Sequence, residues 1–269
     1  MKKDIIKAKH VYSDKKQNKV YLKKNNEKWF PINFQWIPVI KLNNELNIKT
    51  SKMKSMVILP IVLLVTLIMS CTKDSISGSG ELTSEFRNVA NFTKVNSEGV
   101  FELMITQGST QSLEIIGDDN IIPEIKTNVV DNELRLYLDD DHNYKDITLK
   151  VNITVLSITS IKNSGVGNIS ILGVDTIDNF NVYNSGTGDI TIDGSAQSLT
   201  LENEGTGKFK GFQFAIDDCN VTIVGSGDCE INSENTLNVR IEGSGDVHYI
   251  GSPTIEADIS GSGKIIKSN

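Results

Sequence analysis

The chain has 269 residues, of which 38% are hydrophobic, 23% charged and only 6% aromatic, so a soluble product with a mostly aliphatic core, in one large or two small domains, is expected. Its formal net charge of -7 hides two unlike halves. Residues 1–52 hold 13 Lys against four Asp or Glu, whereas from Cys71 onward 13 Lys and Arg face 30 Asp and Glu, a balance of -17 that argues against nucleic-acid binding, which needs basic clusters to neutralise phosphate.

Residues 1–52 contain both Trp, Phe30, Phe34 and many Lys with no clear periodicity. They receive no fold and no function. Met53 opens MKSMVILPIVLLVTLIMSC, in which Lys54 forms a short basic region and an apolar run follows from Met56 to Met69. That run has the length of a secretory signal core and falls short of a comfortable membrane span. The four residues Ile68-Met69-Ser70-Cys71 resemble a bacterial lipobox, which implies cleavage before Cys71, lipidation of its thiol, and attachment to a membrane by acyl chains. A signal must stand first to act, so translation is expected to start at Met53, with 1–52 an over-long gene-model extension. The alternative is a cytoplasmic arm ahead of an uncleaved anchor. Residues 53–70 are then the signal peptide, and 71–85, with SISGSG, a flexible tether.

From Phe86 to Thr159 the pattern has period two, which is strand-like. Phe101, Leu103 and Ile105 alternate with Glu102, Met104 and Thr106; Leu134, Leu136 and Leu138 follow the Asp131-Asn132 turn; and Ile147, Leu149, Val151, Ile153 and Val155 form one apolar column. A short helical turn near 120–124 is the only helix candidate.

The last 105 residues write a Gly-x-Gly corner six times: Gly165 and Gly167, Gly186 and Gly188, Gly205 and Gly207, Gly225 and Gly227, Gly243 and Gly245, Gly261 and Gly263. Successive corners lie 21, 19, 20, 18 and 18 residues apart, the signature of one unit stacked on itself. Counted from the first Gly of each corner, position -4 reads Ile161, Val182, Leu201, Val221, Val239, Ala257, and position +4 reads Ile169, Ile190, Phe209, Cys229, Val247, Ile265. Even positions are apolar nearly throughout and odd ones mostly polar, so the even set shares one face. Two short strands around each corner, with the next copy about 4.8 Å above, predict an all-β, right-handed β-helix or β-solenoid domain over 86–269 with about six repeats. Position -2 changes from Asn163, Asn184 and Asn203 to Ile223, Ile241 and Ile259, which reads as an asparagine ladder giving way to an aliphatic stack. Outward at +3 stand Asn168, Asp189, Lys208, Asp228, Asp246 and Lys264, expected to pair between repeats and hold register.

No metal and no cofactor are expected. Gly-Ser-Gly-Asp at 225–228 and 243–246 is a faint echo of calcium-binding repeats, but the period is wrong and Lys replaces Asp twice. His10, His142 and His248 are scattered. Cys219 and Cys229 fall in inward columns, Cys229 facing Ile223, and are expected as buried thiols in preference to a disulfide. The acids are spread at repeat spacing, which suits a solvated face better than a glycosidase site.

The lipobox, the strand-rich segment from Phe92 to Val155, FTKVNSEGVFELMITQGSTQSLEIIGDDN, and the repeated NSGVGNISI, NSGTGDITI, VGSGDCEI and EGSGDVHYIG together resemble the DUF2807 family, the autotransporter adhesin head GIN domain common among Bacteroidota lipoproteins, over about 87–267. The resemblance implies a right-handed β-helix similar to pectin lyases without their catalytic residues, and a role in adhesion. KFKG after Gly207 departs from the aliphatic pattern and marks that repeat for distortion. The expectation is a non-catalytic, lipid-anchored outer-membrane protein that meets a glycan or protein ligand at the cell surface. A structural envelope protein and a carbohydrate-active enzyme are the alternatives.

Overall fold

In the computed structural model the described residues are 74–139 and 141–269, with the strands β1 (His10–Asp14), β2 (Lys19–Lys23) and β3 (Phe30–Ile32) ahead of them. The signal reading at 53–70 and the lipidation reading at Cys71 lie outside these residues. The chain divides into two units, Met1–Ser70 and Cys71–Asn269. In the first, β1, β2 and β3 pair antiparallel, Val11 opposite Leu22 and Tyr21 opposite Pro31, so a stretch without evident periodicity still forms a small sheet.

The second unit begins with β4 (Ser75–Ser77), β5 (Leu82–Phe86), β6 (Lys94–Glu98), β7 (Glu102–Gln107), β8 (Ser112–Asp118), a 3₁₀ turn at Ile122–Glu124, β9 (Ile125–Val130), β10 (Glu133–Leu138), β11 (Asn143–Lys145) and β12 (Leu149–Val155). It continues through β13 (Ser160–Asn163), β14 (Ile169–Asn184), β15 (Ile190–Asn203), β16 (Phe209–Ile223), β17 (Cys229–Ile241), β18 (Val247–Ile250), β19 (Thr254–Ile259) and β20 (Ile265–Lys267). Fifteen of these strands join in one mostly parallel sheet.

Register follows the repeat. Val182 pairs with Leu201, Leu201 with Val221, Val221 with Val239 and Val239 with Ala257, one position -4 residue on the next. The even columns are buried with their neighbours in a single apolar cluster through β17 and Val247, with Phe92, Phe101, Phe180, Phe209 and Phe214 its phenylalanines, whereas Ile255, Ala257 and Ile259 of β19 are exposed. This is the benefit of stacking: no repeat could bury its apolar face alone.

The structure departs from the expected pattern in three ways. The strands between corners are not short pairs: β14 to β17 run 13 to 16 residues from one corner to the next, because the ladder continues through a bend on the far side. Register shifts mark that bend, at 171–177 in β14 and at 210–218 in β16. The second departure is a further layer. Ser160–Asn163 pairs with Lys94–Ser97 and Ile169 pairs with Leu103, so β6 and β7 take the places of a repeat whose corner is Gly99 and Phe101. β10 and β12 stack beyond them in parallel, and β9, β8 and β5 then close that end antiparallel. The third concerns residues read as a flexible tether. In its described part, β4 pairs with β11 and β5 with β8, Gly80 donates its backbone N–H to Asp118 at 2.7 Å, and the Ser79 hydroxyl bonds Asp119 at 2.6 Å. A Ser/Gly composition did not prevent order, because neighbouring strands offer the backbone partners it lacks in solution.

Candidate ligand-binding face

The corner glycines stack directly. A Cβ at Gly186 would overlap the carbonyl of Gly165, one at Gly205 the carbonyl of Gly186, and so on through Gly225, Gly243 and Gly261; the second glycines, Gly188, Gly207, Gly227, Gly245 and Gly263, repeat this against their own predecessors, while Gly165 and Gly167 meet Gly99 and Phe101. Close approach of backbone to backbone, more than any turn geometry, is what forbids a side chain here.

Beside the corners, Asn163, Asn184 and Asn203 are wholly buried. The Asn163 amide donates to Asn184 Oδ1 at 3.2 Å and the Asn184 amide to Asn203 Oδ1 at 3.3 Å, while the Asn203 amide reaches the carbonyls of Gly207 and Gly227, both at 3.0 Å. The ladder therefore satisfies corner carbonyls that would otherwise be buried without donors. It is enclosed and offers nothing to a ligand.

Two outward surfaces flank the corners. One lies on the strands after them. There Asn168 Oδ1 accepts the backbone N–H of Asp189 at 2.9 Å, Asp189 that of Lys208 at 2.9 Å, Asp228 that of Asp246 at 3.1 Å, and Asp246 that of Lys264 at 2.8 Å. Lys208 pairs with Asp228 at 2.8 Å, and Lys210, not Lys208, pairs with Asp189 at 2.6 Å. The Lys208 ammonium holds the Asp228 carboxyl below its usual range. For Asp189 desolvation pushes upward, and the Lys210 bond and Lys208 N–H outweigh it. These groups bind adjacent repeats to one another.

The KFKG repeat is bent as its sequence suggests. Counted from its corner, Gly211 stands at the inward place that Ile192 and Ile231 hold in the repeats on either side, in a stretch where the register slips, and a Cβ there would lie 2.7 Å from the Glu230 carbonyl and against the Phe209 ring. The ring of Phe209 fills the volume an aliphatic residue would take. Cys219 and Cys229 are buried free thiols. Burial pushes both upward, Cys229 to about 12.

The other outward surface lies on the strands before the corners and is built differently. At position -5 it carries Ser160, Asn181, Thr200, Asn220 and Asn238, five small uncharged side chains in successive strands, ending at Glu256. At -3 it carries Lys162, Tyr183, Glu202, Thr222, Arg240 and Asp258. Two hollows open along these same columns. One, of about 350 Å³, is lined by Asn220, Thr222, Asn238, Arg240, Glu256 and Asp258. The other, of about 360 Å³, lies at the opposite end among Asn128, Val130, Glu133, Arg135 and Lys94. Between them the Tyr183 hydroxyl donates to Glu204, which raises the phenol above its ordinary range, and Lys162 Nζ sits 5.4 Å from the ring centre. Arg135 holds Glu98 by two bonds of 2.7 Å, depressing that carboxyl against the opposing effect of burial. Sequence reasoning marked these odd positions only as polar. Their common uncharged column was readable once the repeats were aligned.

No group of three or more His, Cys, Asp or Glu side chains with metal-holding geometry occurs among the described residues, and no helix there is long and apolar enough to cross a membrane. A stack of like strands with a buried apolar interior and two outward polar faces defines a repeat-built, all-β protein. The chain belongs to the DUF2807 family, described as "Putative auto-transporter adhesin, head GIN domain", whose profile matches residues 91–253. It is similar to a solved "putative adhesin" of Bacteroides fragilis NCTC 9343, with 27% identity and a TM-score of 0.62 over 72% of this chain and 100% of that one. A "putative adhesin" of Parabacteroides distasonis ATCC 8503 shares the fold at 18% identity and a TM-score of 0.50, over 72% of this chain and 100% of that one. No curated protein matches the chain.

Proposed function

We propose that this chain is a non-catalytic adhesion or binding module of the bacterial cell envelope, carried on a membrane by lipid at Cys71. The observation that carries the reading is membership of the adhesin-head family across 91–253. It is supported by the similarity to the B. fragilis protein and by the way the acids are used: Asp189, Asp228 and Asp246 brace one repeat against the next and are not gathered in one groove. The parallel pairing, in unbroken register over the residues just before each corner, and the stacked corners support a right-handed β-solenoid in which the paired glycines serve as structural corners. Such a stack is stiff and presents equivalent side chains at even spacing, which suits a partner met over a long surface.

Mass spectrometry of the mature N-terminus is expected to find an acylated Cys71 as the first residue. Protease shaving of whole cells, compared with lysed ones, should cleave the domain from outside. A deletion strain should attach less well to host-derived surfaces while its envelope stays intact. An unmodified N-terminus retaining residues 1–70 would refute the anchor. Normal attachment with a leaking envelope would favour a structural role.

A further inference from the structure

We propose that the face on the strands before the corners is the binding surface, and that it takes an extended, uncharged polysaccharide lying along the stack, across the strands. This rests on the binding-module reading above and assigns it a site and a ligand class.

The two outward surfaces differ in how their polar groups are used. On the strands after the corners, charges are consumed by neighbouring repeats, as in Lys208 with Asp228 and Lys210 with Asp189. On the other surface Ser160, Asn181 and Thr200 make no side-chain hydrogen bond within the protein, and of the position -5 residues only Asn220 and Asn238 bond each other, at 2.9 Å. Five hydroxyls and amides thus stand in line with free donors and acceptors, one per strand. They repeat at the strand spacing of about 4.8 Å. Successive rings of an extended polysaccharide advance by about the same distance, so each ring would meet an equivalent side chain. Both hollows lie on this line, and with β9 at one end and β19 at the other the surface runs across nine strands, roughly 38 Å.

A second observation points the same way. Asn96 lies in the -3 column between Arg135 and Lys162, is only 5% exposed, and donates to Glu98 at 3.0 Å, yet its Oδ1 has no hydrogen-bond partner. A buried acceptor without a donor is costly. The atom is closed to solvent, so a ligand hydroxyl pairs with it only where the neighbouring side chains shift aside. The choice of an uncharged polymer follows from the charge of this face: Lys94, Arg135, Lys162 and Arg240 are balanced by Glu133, Glu202, Glu256 and Asp258, and the -5 column carries no charge between Ser160 and Asn238, so neither an anionic nor a cationic chain is favoured there. Tyr183, held by Glu204 and with Lys162 Nζ over its ring, is an aromatic side chain midway along this face.

The test uses the full chain, purified from detergent-solubilised membranes, in affinity electrophoresis and calorimetry against laminarin, yeast mannan and xylan, with alginate as the anionic comparison. At least one neutral polysaccharide is expected to retard the protein, and alginate is not. The triple variant N181A/T200A/N220A, at exposed positions that leave the core untouched, should bind at least tenfold more weakly with an unchanged melting curve. K208A/D228A on the other face should bind as the parent does. Retardation by none of the three neutral polymers, equal or stronger retardation by alginate, or full binding by the triple variant would overturn the proposal. The triple variant returned to the deletion strain separates the two ideas: restored attachment would sink this site while leaving the adhesion reading intact.

Discussion

Asn184 offers the sharpest test of what holds the repeats together. Its side chain accepts from Asn163 at 3.2 Å and donates to Asn203 Oδ1 and to the Gly207 carbonyl, both at 3.3 Å. Replacing it with Ala removes three buried hydrogen bonds, each worth about 1 kcal/mol net. Asn163 keeps the Gly188 carbonyl at 3.4 Å and Gly207 keeps Asn203 at 3.0 Å, but Asn203 Oδ1 loses its donor with no substitute. The expected loss is therefore about 3 kcal/mol, with the small cavity adding to it. For a unit of this size that lowers the midpoint of thermal unfolding, followed by circular dichroism, by roughly 6–12 °C. Converting Asn163, Asn184 and Asn203 together to Ile would extend the stack of Ile223, Ile241 and Ile259 and leave no orphaned amide, although corner carbonyls still lose donors. The triple change should therefore cost much less than three times the single one. An Asn184→Ala protein within about 0.5 kcal/mol of the parent, or a strictly additive triple variant, would refute the view that the ladder stabilises the corners.

Gly186→Ala should destabilise strongly, or prevent folding, because its methyl would overlap the Gly165 carbonyl; Gly173→Ala, where the added methyl meets nothing within 4 Å, should suffer only the strain of its φ of +69°, and comparing yield and melting temperature of the two checks this. Asp118 is 2% exposed, and its carboxyl is held below the usual range by the N–H groups of Thr148 and Gly80. A depressed folded-state pKa means its stabilisation is complete above the unfolded value of about 3.9 and is lost as pH falls through the lower folded value. Asp118→Asn should therefore be less stable at pH 7, and the gap in urea midpoint should close in strong acid. Cys219 and Cys229 should resist maleimide at pH 8 in the folded protein and both react in urea, because burial keeps the thiols protonated and out of reach. Lys208→Ala should cost below about 1 kcal/mol, and less in high salt, since it removes a surface pair only.

Much of this molecule is visible before any coordinates. Alternation places Val182, Leu201, Val221 and Val239 inward, the spacing of the Gly-x-Gly corners stacks them, and the shift from Asn203 to Ile223 marks where an amide ladder ends. Local patterning is enough here because each repeat contacts only its neighbours, so a period in sequence becomes a period in space. The layer formed by β6 and β7 was less legible. Val95, Ser97, Gly99, Leu103 and Ile105 keep the repeat's spacing, but Phe101 replaces the second glycine and 66 residues separate Gly99 from Gly165. Chain order gives no sign that this layer enters between β10 and β13, because that placement depends on which strand edges remain free once the repeats have stacked. The same holds for residues 74–86, whose Ser and Gly content suits a loose linker until β8 and β11 present unpaired backbone to them. It holds again for the contrast between the two outward faces: Lys210 finds Asp189 across one repeat while Ser160, Asn181 and Thr200 find nothing, and which polar groups are left over is settled by distance in three dimensions.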